Sequence, residues 1–131
     1  MAARNLLIVS AVAEMSIGVT LLLSPSLVAG LLLGASLETP AAVVVGRMTG
    51  AALLSLGGAC WLARNDVTSR AVRGLVVAML LYNGAAVAVL ANAGAGMRLA
   101  GVLMWPTVAL HGALAIWCVE CVRTGRRKDA A

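Results

Sequence analysis

Long runs of apolar residues, each interrupted by very few polar positions, dominate this chain. The first run is 6–23 (LLIVSAVAEMSIGVTLLL), in which Glu14 is the only charged residue. Its length matches the roughly 20 residues that an α-helix needs to cross the hydrocarbon core of a membrane. Three more runs of this kind follow. Since backbone groups in hydrocarbon need internal partners, the pattern predicts an all-α membrane protein, a bundle of four transmembrane helices at about 5–23, 41–63, 74–90 and 99–122.

Two proline-containing segments indicate where helices begin. Ser24 followed by Pro25 is typical of an N-cap with proline at the first helical position, and it opens a short apolar piece, 26–34. That piece is too short to span a membrane, so we predict a short interfacial helix between spans one and two. Thr39-Pro40 repeats the start signal ahead of span two.

Glycine and proline positions inside the spans carry further expectations. Gly46 and Gly50 form a GxxxG spacing, which permits close contact with another helix. Span four is predicted to be broken by Pro106, and the glycine-containing segment 91–96 is predicted to be a flexible loop.

The composition agrees with a membrane protein and with a single domain, 1–131. Of 131 residues, 62% are apolar and 11% charged, and the mean hydropathy is +1.00. In soluble domains roughly half of the residues are apolar and roughly a quarter are charged. Four spans use most of the chain and leave only a short basic tail, 123–131, after the last one.

The basic residues predict the topology. With four spans, eight of them share the side of both termini and only Arg98 lies in a loop on the other side, so we expect both termini in the cytoplasm of a bacterium, with the protein in its inner membrane. We expect anionic lipid headgroups rather than nucleic acid as the partner of the basic tail. The eight residues are Arg4, Arg64, Arg70, Arg73, Arg123, Arg126, Arg127 and Lys128.

Each predicted span contributes one strongly polar side chain at a similar depth: Glu14, Arg47, Asn83 and His111. Such groups are costly in lipid and are expected to face one another inside the bundle. The depths of Glu14 and Arg47 differ by less than the reach of an arginine side chain, and spans adjacent in sequence are usually neighbours. We therefore predict an ion pair between them, which would clamp span one to span two. If the two do not pair, Glu14 is free to bind a proton or a cation.

Three neighbouring residues complete the predicted polar cluster. Tyr82 precedes Asn83, and Thr107 lies one turn before His111. Trp105, next to the predicted break in span four, is placed beside a freed backbone carbonyl that would line a cavity. We expect this cluster to hold a ligand or an ion pair, and no catalytic arrangement of residues is recognisable around it.

Three cysteines form a weaker candidate site. Cys118 and Cys121 make a CxxC, and Cys60 is expected on the same side of the membrane. Thiolates in this arrangement suit a redox centre or a soft metal. Cysteines three apart on an apolar helix are more often structural, and no second CxxC accompanies them.

Four segments resemble DoxX-like proteins, a group of small four-span bacterial membrane proteins. The resemblance implies a four-helix inner-membrane fold and suggests an accessory role in a quinone-linked redox complex. The segments are LLLSPSLVAGLLLG, GRMTGAALLSLGGACWLAR, AMLLYN and LMWPTVALHG.

The position of Glu14 is also similar to the membrane glutamate of small multidrug resistance transporters, although the aromatic residues of that binding site are missing. We therefore hold two functional hypotheses. The first is a non-enzymatic accessory subunit or a binder of a small apolar ligand such as a quinone or lipid, and no particular cofactor is indicated. The alternative is a proton-coupled transporter of cationic compounds that works as a dimer through Glu14.

Overall fold

The structure, a computed structural model, describes residues 2–129, with side chains as far as residue 125. Within this range there are five helices: α1 (Ala2–Leu23), α2 (Pro25–Leu33), α3 (Pro40–Ala63), α4 (Arg70–Ala95) and α5 (Met104–Asp129). The four long helices are each apolar and long enough to cross a membrane, which confirms the predicted fold class. The side chains of Arg126, Arg127 and Lys128, used above for topology, lie outside the described residues, as do residues 130–131 of the predicted tail.

The two proline start signals are found where the sequence predicts them. Ser24 is the N-cap of α2 and Pro25 follows at its first position. Thr39 is the N-cap of α3, and its side chain accepts a hydrogen bond of 3.1 Å from the backbone N–H of Ala42. Pro40 then costs α3 nothing, because the first N–H groups of a helix have no intrahelical partner.

Helices α4 and α5 differ from the predicted spans. α4 starts at Arg70, because Ser69 caps it and accepts a hydrogen bond from the N–H of Val72. It continues to Ala95, so most of the segment predicted as a flexible loop is helical. α5 starts at Met104 and runs to Asp129, beyond the predicted end of span four at residue 122.

The predicted break at Pro106 is wrong. Pro106 is the third residue of α5, inside the first turn. A proline there removes no helical hydrogen bond, because that N–H would have had no carbonyl partner. Pro106 therefore does not free a backbone carbonyl in the middle of α5, as the sequence had predicted.

α1 and α3 form an antiparallel pair in which the two backbones touch. A Cβ atom added at Gly18 would lie 2.8 Å from the carbonyl oxygen of Gly50, and one at Gly57 would lie 2.9 Å from the backbone nitrogen of Met15. Only glycine fits these positions, so small residues allow the close approach, as in many membrane helix pairs. Gly50, one half of the predicted GxxxG, is part of this contact.

α4 and α5 form the second pair, and α2 joins the two pairs at one end of the bundle. The N–H groups of Gly101 and Leu103, in the linker before α5, donate to the carbonyls of Leu32 and Leu31 at 3.2 and 2.9 Å. These carbonyls lie at the end of α2, where a helix leaves them unsatisfied. Gly34 ends α2 with φ of 73°, a conformation that glycine adopts without strain.

The bundle has two unlike halves. The half that carries both termini contains the main buried core, and we call it the closed half. The opposite half, next to α2, encloses a cavity, and we call it the hollow half. The core of the closed half consists of Leu6, Leu7, Ala11, Cys60, Val72, Val76, Met79, Leu114 and Cys118.

Candidate functional site: a cavity with a polar end

The hollow half encloses a cavity of about 800 Å³ between the two helix pairs. All five helices contribute to its lining, and most of the lining residues are alanine, valine, leucine or isoleucine. Polar side chains from three helices gather where the cavity meets the closed half: Glu14 of α1, Tyr82 of α4 and His111 of α5.

Glu14 is held by Tyr82. The carboxylate side chain is 2% exposed, and its Oε2 accepts a hydrogen bond of 3.2 Å from the hydroxyl of Tyr82. This bond joins the first helix pair to the second. Both side chains line the cavity, so the bonded pair forms part of its wall.

Asn83 and His111 form a second polar pair, between α4 and α5. The Nδ2 group of Asn83 donates to the carbonyl of Met79 at 2.7 Å, and its Oδ1 lies 2.7 Å from His111 Nδ1. Asn83 is fully buried behind the cavity wall. The Tyr82 ring meets the imidazole edge-on, with ring centroids 5.5 Å apart, so the two pairs are in contact.

α4 is the helix that organises the cluster. Tyr82 and Asn83 are consecutive, and neighbours on a helix point about 100° apart. One of them therefore reaches Glu14 on α1 while the other reaches His111 on α5. Three of the four intramembrane polar residues singled out from the sequence meet here, together with Tyr82.

The predicted ion pair between Glu14 and Arg47 is not formed. Arg47 is exposed, and among the described side chains Glu14 has no basic partner within ion-pair distance. The reason is the register of α3 against α1. Since Gly57 packs at Met15 and Gly46 packs at Pro25, Arg47 lies near the end of α1, about 14 Å along the helix from the level of Glu14.

The remaining predicted cluster residues separate into two kinds. Thr107 lines the cavity, one turn from His111. Trp105 does not line it; its side chain is 53% exposed and lies against Gly94 of α4. Trp105 sits in the first turn of α5, so the carbonyl that the sequence placed beside it is not freed by a kink.

The cysteines lie in the closed half. Cys60 and Cys118 belong to its buried core, Cys121 packs against that core, and all three are free thiols. Across residues 2–125, no group of three or more cysteine, histidine or acidic side chains is arranged to hold a metal ion. The thiols therefore enter the packing of the closed half, and none of the three lines the cavity.

No family model, no curated protein and no solved structure matches this chain. The resemblance to DoxX-like proteins stays a prediction.

The cavity is open on the side of α3 and α4. Val45 of α3 and Val89 of α4 line it and remain 63% and 67% exposed. α1 contacts both α3 and α5, whereas α3 and α4 scarcely meet. Both of these rim residues are apolar.

Sequence reasoning missed the walls of the cavity. Thr20 of α1 and Thr49 of α3 line it, as do Val28 and Ala29 of α2. An apolar residue that faces a cavity cannot be distinguished by its pattern from one that faces lipid, so no signal marked them. The sequence did indicate the polar end, because charged and amide groups inside spans are rare.

Proposed function

We propose that this chain is a non-enzymatic membrane protein that binds a small apolar molecule with a polar head, such as a quinone or a lipid. The observation that carries the proposal is the cavity of about 800 Å³ whose walls are apolar and whose closed end holds Glu14, Tyr82 and His111. Ligand sites in proteins typically measure about 300–1,000 Å³ and combine apolar walls with a few placed polar groups.

The proposed ligand enters from the bilayer. The gap beside α3 and α4 leads sideways into the hollow half, and Val45 and Val89 at its rim favour an apolar tail over water. The head then meets the polar end while the tail occupies the apolar walls. The hydrogen bonds between α2 and the linker hold the end of the bundle farthest from both termini together.

Co-purified molecules test the proposal. Ala86 lines the cavity on α4, and Ala88 on the same helix is exposed and does not line it. Wild type and Ala88→Phe should carry the same small apolar molecule after purification in mild detergent, and Ala86→Phe should lose it. Organic extraction and mass spectrometry of the three proteins measure this. Identical extracts from all three would refute the proposal.

A second candidate function is favoured by one specific observation. Glu14 is buried, and no basic side chain in the described part of the chain pairs with it. A carboxylate in this position is available to a proton or to a cationic compound, as a proton-coupled transporter acting as a dimer requires.

Proteoliposomes test this alternative. Glu14→Gln should abolish proton-coupled uptake of a lipophilic cation such as ethidium, whereas Glu38→Gln, at an exposed position before α3, should leave uptake intact. Uptake by the wild type that does not exceed that of empty liposomes would exclude transport of this substrate.

We also propose that the protein lies in a bacterial inner membrane with both termini in the cytoplasm. The eight-to-one distribution of basic residues supports this orientation. A C-terminal green fluorescent protein fusion should fluoresce, and a C-terminal alkaline phosphatase fusion should be inactive. The opposite pair of results would reverse the topology.

Its proposed partners, besides lipid, are a membrane redox complex or a second copy of the chain. The resemblance to DoxX-like proteins supports the first, and the transporter alternative requires the second. Native mass spectrometry after extraction in mild detergent distinguishes them by mass. A monomer without associated proteins would count against both.

A further inference from the structure

The orientation of one amide determines the hydrogen-bonding character of the polar end. Asn83 Nδ2 lies 2.7 Å from the Met79 carbonyl, which can only accept, so the amide orientation is fixed. Asn83 Oδ1 is therefore the atom that faces His111 Nδ1, and Nδ1 must carry the proton. A neutral imidazole protonated at Nδ1 has an unprotonated Nε2, which is an acceptor.

Glu14 and Tyr82 add acceptors, and they add no donor when Glu14 is ionised. The hydroxyl proton of Tyr82 is used in the bond to Glu14 Oε2, and no protein group bonds to Glu14 Oε1 in the described part of the chain. An ionised carboxylate is an acceptor at both oxygens. This pair therefore presents a free carboxylate oxygen and the lone pairs of a phenol oxygen.

Both unpartnered atoms reach the cavity. Across the described side chains, Ser10 Oγ is the only buried oxygen or nitrogen without a hydrogen-bond partner. In the described part of the chain, Glu14 Oε1 and His111 Nε2 also lack a protein partner but are not fully buried, so each keeps some accessible surface. The space that both residues line is the cavity.

The threonines of the wall supply little to offset this excess of acceptors. Thr20 and Thr49 donate their hydroxyl protons to the backbone carbonyls of Ser16 and Val45 in their own helices. Thr107 alone among the polar lining residues keeps a hydroxyl proton for a ligand. With Glu14 ionised, the cavity thus offers several acceptors and one donor.

We infer that the polar head of the ligand is a hydrogen-bond donor, and specifically a primary ammonium group that donates to Glu14 and His111. The inference rests on the proposed function, because it names the chemical class of molecule that the cavity takes. Against an ionised Glu14, a head with only carbonyl or ether oxygens would place acceptors against acceptors, which is costly. Of the two examples named above, this excludes the oxidised quinone and retains a lipid with a donor head. A positive charge would also neutralise a carboxylate that lacks a basic partner.

Four probes with the same ten-carbon tail separate charge from donor capacity. Decylamine, as its ammonium form, has charge and donors, decan-1-ol has one donor, decyltrimethylammonium has charge alone, and methyl decyl ether has neither. Binding to the full chain in maltoside micelles is measured by native mass spectrometry. We expect decylammonium to bind about tenfold tighter than the ether, with decanol between them and decyltrimethylammonium below decylammonium.

Glu14→Gln tests the assignment of the head to this end of the cavity. Because glutamine keeps an oxygen acceptor for Tyr82, the fold should be retained, as circular dichroism and gel filtration will check. The preference for decylammonium over decanol should disappear in this variant. Glu38→Gln should keep the full preference. A preference that survives Glu14→Gln would overturn the inference.

Other outcomes separate failure of the inference from failure of the proposed function. If the ether or decyltrimethylammonium binds the wild type as tightly as decylammonium, and Ala86→Phe blocks all probes, the cavity binds ligands but the inference is wrong. If no probe distinguishes the wild type from Ala86→Phe, both the inference and the proposed function are wrong. Ala88→Phe should behave as the wild type throughout.

Discussion

The closed half and the hollow half are built by the same four long helices, but they fill the space between the two helix pairs differently. In the closed half, Leu7, Met79 and Cys118 meet with no exposed surface. In the hollow half the pairs diverge around a cavity of about 800 Å³. The polar pairs lie at the boundary, so close packing and the candidate site are adjacent along the bundle.

The difference comes from where the glycines and α2 are placed. Gly18, Gly50 and Gly57 keep α1 and α3 in backbone contact, so these two helices stay together in both halves. The space therefore opens between the pairs rather than within one. α2 bridges that opening at its far end through backbone hydrogen bonds to the linker. Because lipid supplies no hydrophobic driving force between helices, such backbone contacts determine how the helices are arranged.

The largest effect is expected where helix backbones touch. Gly50→Val should lower the free energy of unfolding by about 3 kcal/mol or more, because even a Cβ would lie 2.7 Å from the Gly18 carbonyl oxygen. Gly58→Val, on the same helix with no neighbouring atom within 4 Å, should change it little. Denaturant titration in detergent measures both. Equal losses at both positions would show that the backbone contact at Gly50 is not what makes this site sensitive.

Leucine-to-alanine substitutions at two positions of α1 should lower the unfolding free energy unequally, because one position lies in the closed half and the other in the hollow half. Leu7→Ala in the closed half should cost about 2–3 kcal/mol of unfolding free energy, because the leucine is fully buried and its removal leaves a void. Leu21→Ala, at the cavity wall, should cost about 1 kcal/mol or less, because it enlarges an existing space. Similar losses at both positions would contradict the division into closed and hollow halves.

The free energy of unfolding should depend more on the buried amide of Asn83 than on an exposed amide of the same helix. Asn83→Ala removes the partner of His111 Nδ1 and should cost about 1–3 kcal/mol of stability. Asn92→Ala, at an exposed position on the same helix, is the control. In a double-mutant cycle, Asn83→Ala and His111→Ala should be non-additive. Full additivity would show that the hydrogen bond contributes nothing.

The smallest effect is expected for Arg47. Because its side chain is exposed and does not reach Glu14, Arg47→Ala should change the unfolding free energy by about 0.5 kcal/mol or less. A cycle with Glu14→Gln should give a coupling energy near zero. Strong coupling would restore the ion pair that the sequence predicts and would place the two helices in a different register.

Much of the fold follows from the sequence. The apolar runs identify four helices, and Ser24-Pro25 and Thr39-Pro40 mark the starts of α2 and α3 correctly. Errors arise where charge was taken as the end of a span, as at Arg70, and where the helix start was misplaced ahead of Pro106. Of the predicted polar cluster, Glu14 bonds to Tyr82 and Asn83 bonds to His111, whereas Arg47 lies apart from both pairs.

The sequence by itself determined that this chain forms helices that cross a membrane, because length and hydropathy leave the backbone no other way to satisfy its hydrogen bonds. Only the tertiary structure decided that Glu14 bonds to Tyr82 rather than to Arg47, and that the helix pairs part around a cavity. The physical reason is register. The glycine contacts fix α3 against α1 in a register that places Arg47 near the end of α1, and this puts it out of reach of Glu14.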